Sequence, residues 1–187
     1  MRRNVLFLAL AFCTMTAQSA LAQSELGLKR AGVAIGIVSP ENLDAAFGFG
    51  VFADLGNLTP QIGLEPRIDY WSQSESVFGG GKFSVRDLTI GARGKYFFPT
   101  SNPKLRPFAG AGLGLHMLNA EVEIVDPFSG QTMTAEDSST KLGLDLGGGF
   151  AAPLSPRTDL LAEIWYGIVS DFSQFSLRVG LSHVLGS

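Results

Sequence analysis

From residue 31 to the end, the chain alternates between apolar and polar positions in blocks. Over 174–185, Phe175, Leu177, Val179, Leu181 and Leu185 share one side, and Gln174, Ser176, Arg178, Gly180 and Ser182 the other. That is the period of two of a strand with unlike faces. The pattern predicts eight strands, at 31–38, 44–55, 60–72, 83–98, 106–118, 140–152, 157–168 and 174–185. In 62–70, Ile62, Leu64, Ile68 and Tyr70 oppose Glu65, Arg67 and Asp69; in 88–98, Leu88, Ile90, Ala92, Tyr96 and Phe98 oppose Asp87, Thr89, Arg93 and Lys95. In 140–150, Leu142, Leu144, Leu146 and Phe150 oppose Lys141, Gly143, Asp145 and Gly147; in 158–168, Leu160, Ala162, Ile164, Tyr166 and Ile168 oppose Asp159, Glu163 and Gly167. A terminal strand needs a partner or a reason to tolerate a bare edge, so the last strand is expected to close against the first.

Charge and glycine share one face and hydrocarbon fills the other, which sets the sidedness. A lipid-facing Arg or Lys near the bilayer midplane costs about 2–4 kcal/mol, so in a membrane the charged face must look inward. An eight-stranded barrel is only wide enough to be filled by its own side chains. The expected interior is therefore a salt-bridged plug of Glu65, Arg67, Asp69, Arg93, Lys95, Lys141, Asp145, Glu163 and Arg178. Gly110, Gly112, Gly114, Gly143 and Gly147 would leave room for these long side chains. The fold class is all-β, an eight-stranded antiparallel up-and-down transmembrane barrel. Aromatic belts at the strand ends are expected from Tyr70, Trp71, Trp165 and Tyr166 at one boundary and Tyr96, Phe98 and Phe150 at the other, with His183 in a belt position.

Connections alternate in length. Those after the second, fourth and sixth strands are turn-like (56–59, 99–103 and 153–156), and those after the third and fifth are longer (73–82 and 119–139). Short turns at one end and long loops at the other are the habit of membrane barrels. Loop 119–139 itself alternates on both sides of Asp126-Pro127-Phe128-Ser129-Gly130, and reads as a hairpin carrying two strands beyond the membrane. Glu121, Glu123, Asp126, Phe128, Glu136 and Asp137 are its candidate partner contacts. An exposed hairpin edge can take up a strand of another chain, whereas these carboxylates lack calcium-loop spacing.

The first 22 residues differ from the rest. Arg2 and Arg3 precede the apolar run Val5 to Phe12, and Ala20-Leu21-Ala22 offers small residues for cleavage. This predicts a cleavable signal peptide over 1–22 and a barrel domain over 23–187. Cys13, the one cysteine among the 187 residues, would support a lipoprotein reading, but bulky Phe12 just before it argues against that; the mature chain has no disulfide framework. The leader holds two of the 14 basic residues and none of the 17 acidic ones, leaving 12 against 17, a net −5. No clustered basic face suggests nucleic acid.

Arg106-Pro107-Phe108-Ala109-Gly110-Ala111-Gly112-Leu113-Gly114, Gly143-Leu144-Asp145-Leu146-Gly147-Gly148-Gly149-Phe150 and Phe175-Ser176-Leu177-Arg178-Val179-Gly180-Leu181-Ser182 resemble strand motifs of the small OmpA/OmpX-like outer-membrane β-barrels of Gram-negative bacteria. The resemblance covers nearly all the mature chain and implies fold and location more than activity. It implies outer-membrane lipid as surroundings, barrel-assembly and chaperone machinery as partners in biogenesis, and an extracellular protein or surface ligand as a further partner, with a monomer expected. One departure is the end, Val184-Leu185-Gly186-Ser187, where such barrels usually carry a terminal aromatic.

Catalysis finds little support. Gly110 to Gly114 mimics a dinucleotide fingerprint without the following helix, and Gly91 to Lys95 fails the phosphate-loop spacing. Of the two histidines, His116 faces the lumen and His183 the lipid; Ser182, next to His183, points the opposite way, so no nucleophile–base pair forms. No cofactor or metal site is expected. The reading is a structural or surface-contact protein. Its rivals are a soluble eight-stranded barrel around a small apolar ligand (which requires the reverse sidedness), a lipid-modifying enzyme, and a diffusive porin.

Overall fold

A strand in hydrocarbon must pair every backbone N–H and C=O within the protein, and a sheet achieves this only by closing on itself. The computed structural model describes residues 26–77, 81–102, 104–125, 131–170 and 172–185. Its strands are β1 (Arg30–Pro40), β2 (Ala46–Asp54), β3 (Asn57–Thr59), β4 (Ile62–Val77), β5 (Gly81–Phe97), β6 (Arg106–Val125), β7 (Thr132–Ser155), β8 (Thr158–Val169) and β9 (Phe172–Val184). β3 has three residues and pairs only with β4, inside the turn after β2. The other eight strands form the barrel, each antiparallel to its neighbours. Closure comes from β9 against β1, in register from Arg30↔Val184 to Pro40↔Gln174. The leader, Cys13 and the last two residues lie outside the described residues, as do Asp126 and Phe128.

The sidedness is hydrocarbon outward and ions inward, the reverse of what a soluble carrier requires. Val33, Ile35, Phe47, Phe49, Leu113, Leu144, Leu177 and Val179 are exposed on the outer wall, whereas Glu65, Arg67, Asp69, Arg93, Lys95, Glu163 and Arg178 are buried. Leu88–Phe98, Pro107–Met117 and Leu142–Ala152 each carry the outward apolar stripe over about the 9–11 residues that a tilted strand needs to cross the hydrocarbon. At the loop end this stripe stops abruptly. Tyr70, Leu88 and Met117 stand side by side in register, and one outward step higher come Ser72, Arg86 and Asn119. That line marks the lipid boundary.

Beyond it, β4 to β7 continue as a four-stranded sheet. The β6–β7 ladder runs on from Leu118↔Ser139 to Val125↔Thr132, the hairpin expected over 119–139. Of the stretch 73–82, expected as a loop, residues 73–77 and 81–82 instead continue the β4–β5 ladder, from Gln73↔Val85 to Val77↔Gly81. Gln73-Ser74-Glu75-Ser76 lacks an apolar stripe because it faces no lipid; backbone pairing sustains it, with side-chain hydrogen bonds from Gln73 to Glu75 at 3.1 Å and between Ser74 and Ser84 at 3.0 Å. The turn expected at 153–156 also moves: β7 runs through to Ser155 with a register shift between Pro153 and Ser155. An irregularity of that kind is where a strand tolerates proline.

Candidate functional site

Inward positions of five strands converge on one cluster. On β4, Glu65, Arg67 and Asp69 recur every second residue; Arg67 Nε donates to Asp69 Oδ2 at 2.6 Å and Arg67 Nη1 to Glu65 Oε1 at 3.1 Å. β9 brings Arg178 against Asp69. β5 contributes Lys95, which bridges Glu65 and, at 2.5 Å, Glu163 of β8. Arg93, also on β5, donates to Asp145 of β7 at 2.7 Å and lies 3.9 Å from Glu163. Four cations thus meet four carboxylates. Charges this deep persist only when paired and hydrogen-bonded.

Of the nine residues expected in the plug, eight meet here. Lys141 is on the same inner face but further toward the loop end, half-buried and level with His116 in the ladder. Two residues assigned to the lipid belts are inside. Trp71 and Trp165 are buried, Trp71 donating its indole N–H to Gln174 Oε1 at 3.1 Å and Trp165 to Glu163 Oε2 at 3.3 Å. Alternation is the reason: with Tyr70 and Tyr166 facing out, the adjacent Trp71 and Trp165 must face in. Arg93 stacks over Trp165 at 4.0 Å from the ring centroid, a cation–π contact that faces the guanidinium whose Nη1 has no hydrogen-bond partner. Tyr96, Phe98, Phe150 and Tyr166 are exposed outward, and outward Tyr70 packs against Phe49 at 5.4 Å between centroids.

Glycines opposite the cluster make the packing feasible. A Cβ on Gly112 would lie 2.7 Å from Arg93 Cγ, and one on Gly143 2.6 Å from His116 Nε2. Below the cluster, at the turn end, the lumen opens into a cavity of about 700 Å³ where Arg30 and Arg106 share one oxygen of Asp159. Above it, the free space between Arg93, Arg178 and His116 is about 10 Å³, about the room one water needs. The ion cluster lies between these two spaces.

A second buried polar group sits over the cluster, and alternation alone could not reveal it. His116 Nδ1 lies 2.7 Å from Asp87 Oδ2 and 2.9 Å from Thr89 Oγ1. Asp87 and Thr89 were readable as inward positions of β5; the register Thr89↔His116 was not. The group resembles a catalytic triad only in composition. A relay needs the acid on one ring nitrogen and the nucleophile on the other, and here both meet Nδ1. His183 is exposed, with Nδ1 3.0 Å from Thr158 Oγ1, while Ser182 is buried on the opposite face. Among the described residues, no group of three or more His, Cys, Asp or Glu is arranged to hold a metal.

On the protruding hairpin the expected contact residues divide between two faces. Glu121 and Glu136 lie on the outer face around Arg86, at 3.8 and 3.7 Å, with Asn119 Nδ2 donating to Glu136 Oε1 at 2.6 Å. Glu123 shares that face, opposite Lys82 in register. Asp137 points the other way and lines the mouth of the barrel.

Outward hydrocarbon, inward charge and eight antiparallel strands are the marks of a membrane-spanning barrel. The family model for the outer membrane protein beta-barrel domain matches residues 5–183. This chain belongs to that family. As a member it is an outer-membrane β-barrel of the Gram-negative envelope, surrounded by lipid. Neisserial surface protein A is similar in structure, with a TM-score of 0.57 at 20% identity, covering 83% of this chain and 95% of the other. Ail, the attachment invasion locus protein of Yersinia pestis, solved with the heparin analogue sucrose octasulfate, gives 0.54 at 14% identity over 84% and 97%. A major outer membrane protein from Thermus thermophilus gives 0.59 at 14% over 83% and 99%. Likeness at such identities is a likeness of fold. No curated protein matches the chain.

Proposed function

We propose that this outer-membrane barrel is a surface-contact protein whose working part is the β6–β7 hairpin and whose lumen is a closed structural plug. The observation that carries the reading is the bare edge of β7. Among the described residues, Thr132 to Thr140 pairs with β6 on one side, and β8 joins only from Gly143 onward. A partner's extended segment can add to such an edge by main-chain hydrogen bonds. Ail was solved with a sulfated heparin analogue, which supports an adhesive role for a barrel of this shape. Here, however, Glu121, Glu123 and Glu136 outnumber Arg86 and Lys82 on the outer face, so a basic or neutral protein strand suits it better than a sulfated glycan.

Residues 1–22 act as the export leader and are removed. Assembly machinery then inserts the barrel as a monomer. Among the described residues, neither histidine is set between an acid on one ring nitrogen and a nucleophile on the other. Replacing 121–136 by a short turn tests the reading. The variant is expected to keep heat-modifiable mobility in detergent gels and lose adhesion of expressing cells to immobilised host matrix; unchanged adhesion with folding intact would refute the role of the hairpin.

A further inference from the structure

At the loop end, within the rim formed by the protruding sheet, is a recess of about 250 Å³ unrelated to the bare strand edge. Its floor is Trp71, buried with Val38 and Ala46 and packed by Leu43 and Val85. Leu118 and Phe172 complete an apolar wall. The mouth is different in kind: Glu41 and Asp137 are its charged lining residues, both exposed, and among the described residues no Lys, Arg or His lines the recess. Glu41 is held in place, its Oε2 accepting from Ser173 Oγ at 2.9 Å and from Ser173 N at 3.3 Å. Asp137 reaches the mouth because alternation on β7 turns it away from Glu136, which is engaged on the outer face. The neighbouring cation Arg86 is likewise committed to the outer face.

An apolar floor beneath two carboxylates and no cation selects charge as well as shape. We infer that this recess binds a small organic cation, an ammonium carrying one aryl or short alkyl group, with the apolar group on Trp71 and the ammonium between Glu41 and Asp137. The volume lies just below the roughly 300–1,000 Å³ of drug-sized sites, so one ring or a short chain fills it. Trp71 places in the floor the aromatic side chain type that best attracts a nearby cation. A carboxylate of the same shape would instead meet two like charges.

The test uses the mature protein in zwitterionic lipid nanodiscs, with phenethylammonium as probe and 2-phenylethanol and 3-phenylpropionate as neutral and anionic counterparts. The indole N–H resonance of Trp71, assigned by comparison with Trp165→Phe, reports occupancy. Phenethylammonium is expected to shift it saturably and to bind at least about tenfold more tightly than 3-phenylpropionate, with 2-phenylethanol between them. Glu41→Gln with Asp137→Asn should remove most of that discrimination, and Val85→Trp, which fills the recess, should abolish saturation. Ala120→Trp serves the same purpose if Val85→Trp does not fold. Equal affinity for the three probes, no saturable shift, or a shift that survives the filled recess (partition into lipid) would each overturn the inference.

Discussion

Glu163 is where the interior is most tightly determined. It receives Lys95 at 2.5 Å and the Trp165 indole N–H at 3.3 Å, and has Arg67 at 3.5 Å and Arg93 at 3.9 Å. Removing one member of a buried pair leaves the other charge without compensation, at about 3–5 kcal/mol. Glu163→Gln is therefore expected to lower unfolding stability in urea by about that much, read by tryptophan fluorescence in lipid vesicles. Adding Lys95→Met should recover part of the loss, because the orphaned ammonium is removed with its partner. Glycines give a second contrast. Gly112→Ala sets a Cβ 2.7 Å from Arg93 Cγ and 2.8 Å from the Ala92 carbonyl oxygen, whereas on Gly94 the nearest atom is 3.9 Å away. Gly112→Ala should destabilise by about 1–3 kcal/mol, as overpacking does, and Gly94→Ala should be nearly neutral in the same assay.

Single strands show two solvents along one face. On β7, outward Leu142, Leu144 and Leu146 give way to Thr140, Ser138, Glu136 and Thr134. The backbone ladder runs through the change unaltered; only the side chains register the boundary. Leu144→Arg should cost about 2–4 kcal/mol, the penalty for a cation facing the bilayer midplane, and Thr134→Arg should leave the unfolding midpoint where it is. Equal sensitivity at the two positions would contradict the lipid boundary drawn at Tyr70, Leu88 and Met117.

For the molecule as a whole, the proposed plug bears on transport. The turn-end cavity stops at Lys95 and Glu65, and the space above the ion cluster is about 10 Å³. The protein is expected to give no steady conductance in planar bilayers, and Arg93→Ala with Trp165→Ala, which empties the narrow level, should introduce channel events. Strand number, sidedness and the inward charges were legible in the chain because a side-chain period of two, combined with the cost of ions in lipid, permits one arrangement of faces. The same rule, applied at Tyr70-Trp71 and Trp165-Tyr166, would have sent both tryptophans inward. Periodicity could not reach what depends on one strand's height against the next. The alignment of Thr89 and Asp87 with His116, the bridging of Lys95 between strands far apart in sequence, and the recess between Glu41 and Asp137 are all products of register and closure. Alternation fixes which way each residue points along its own strand, but hydrogen bonding between neighbouring strands decides what it meets there.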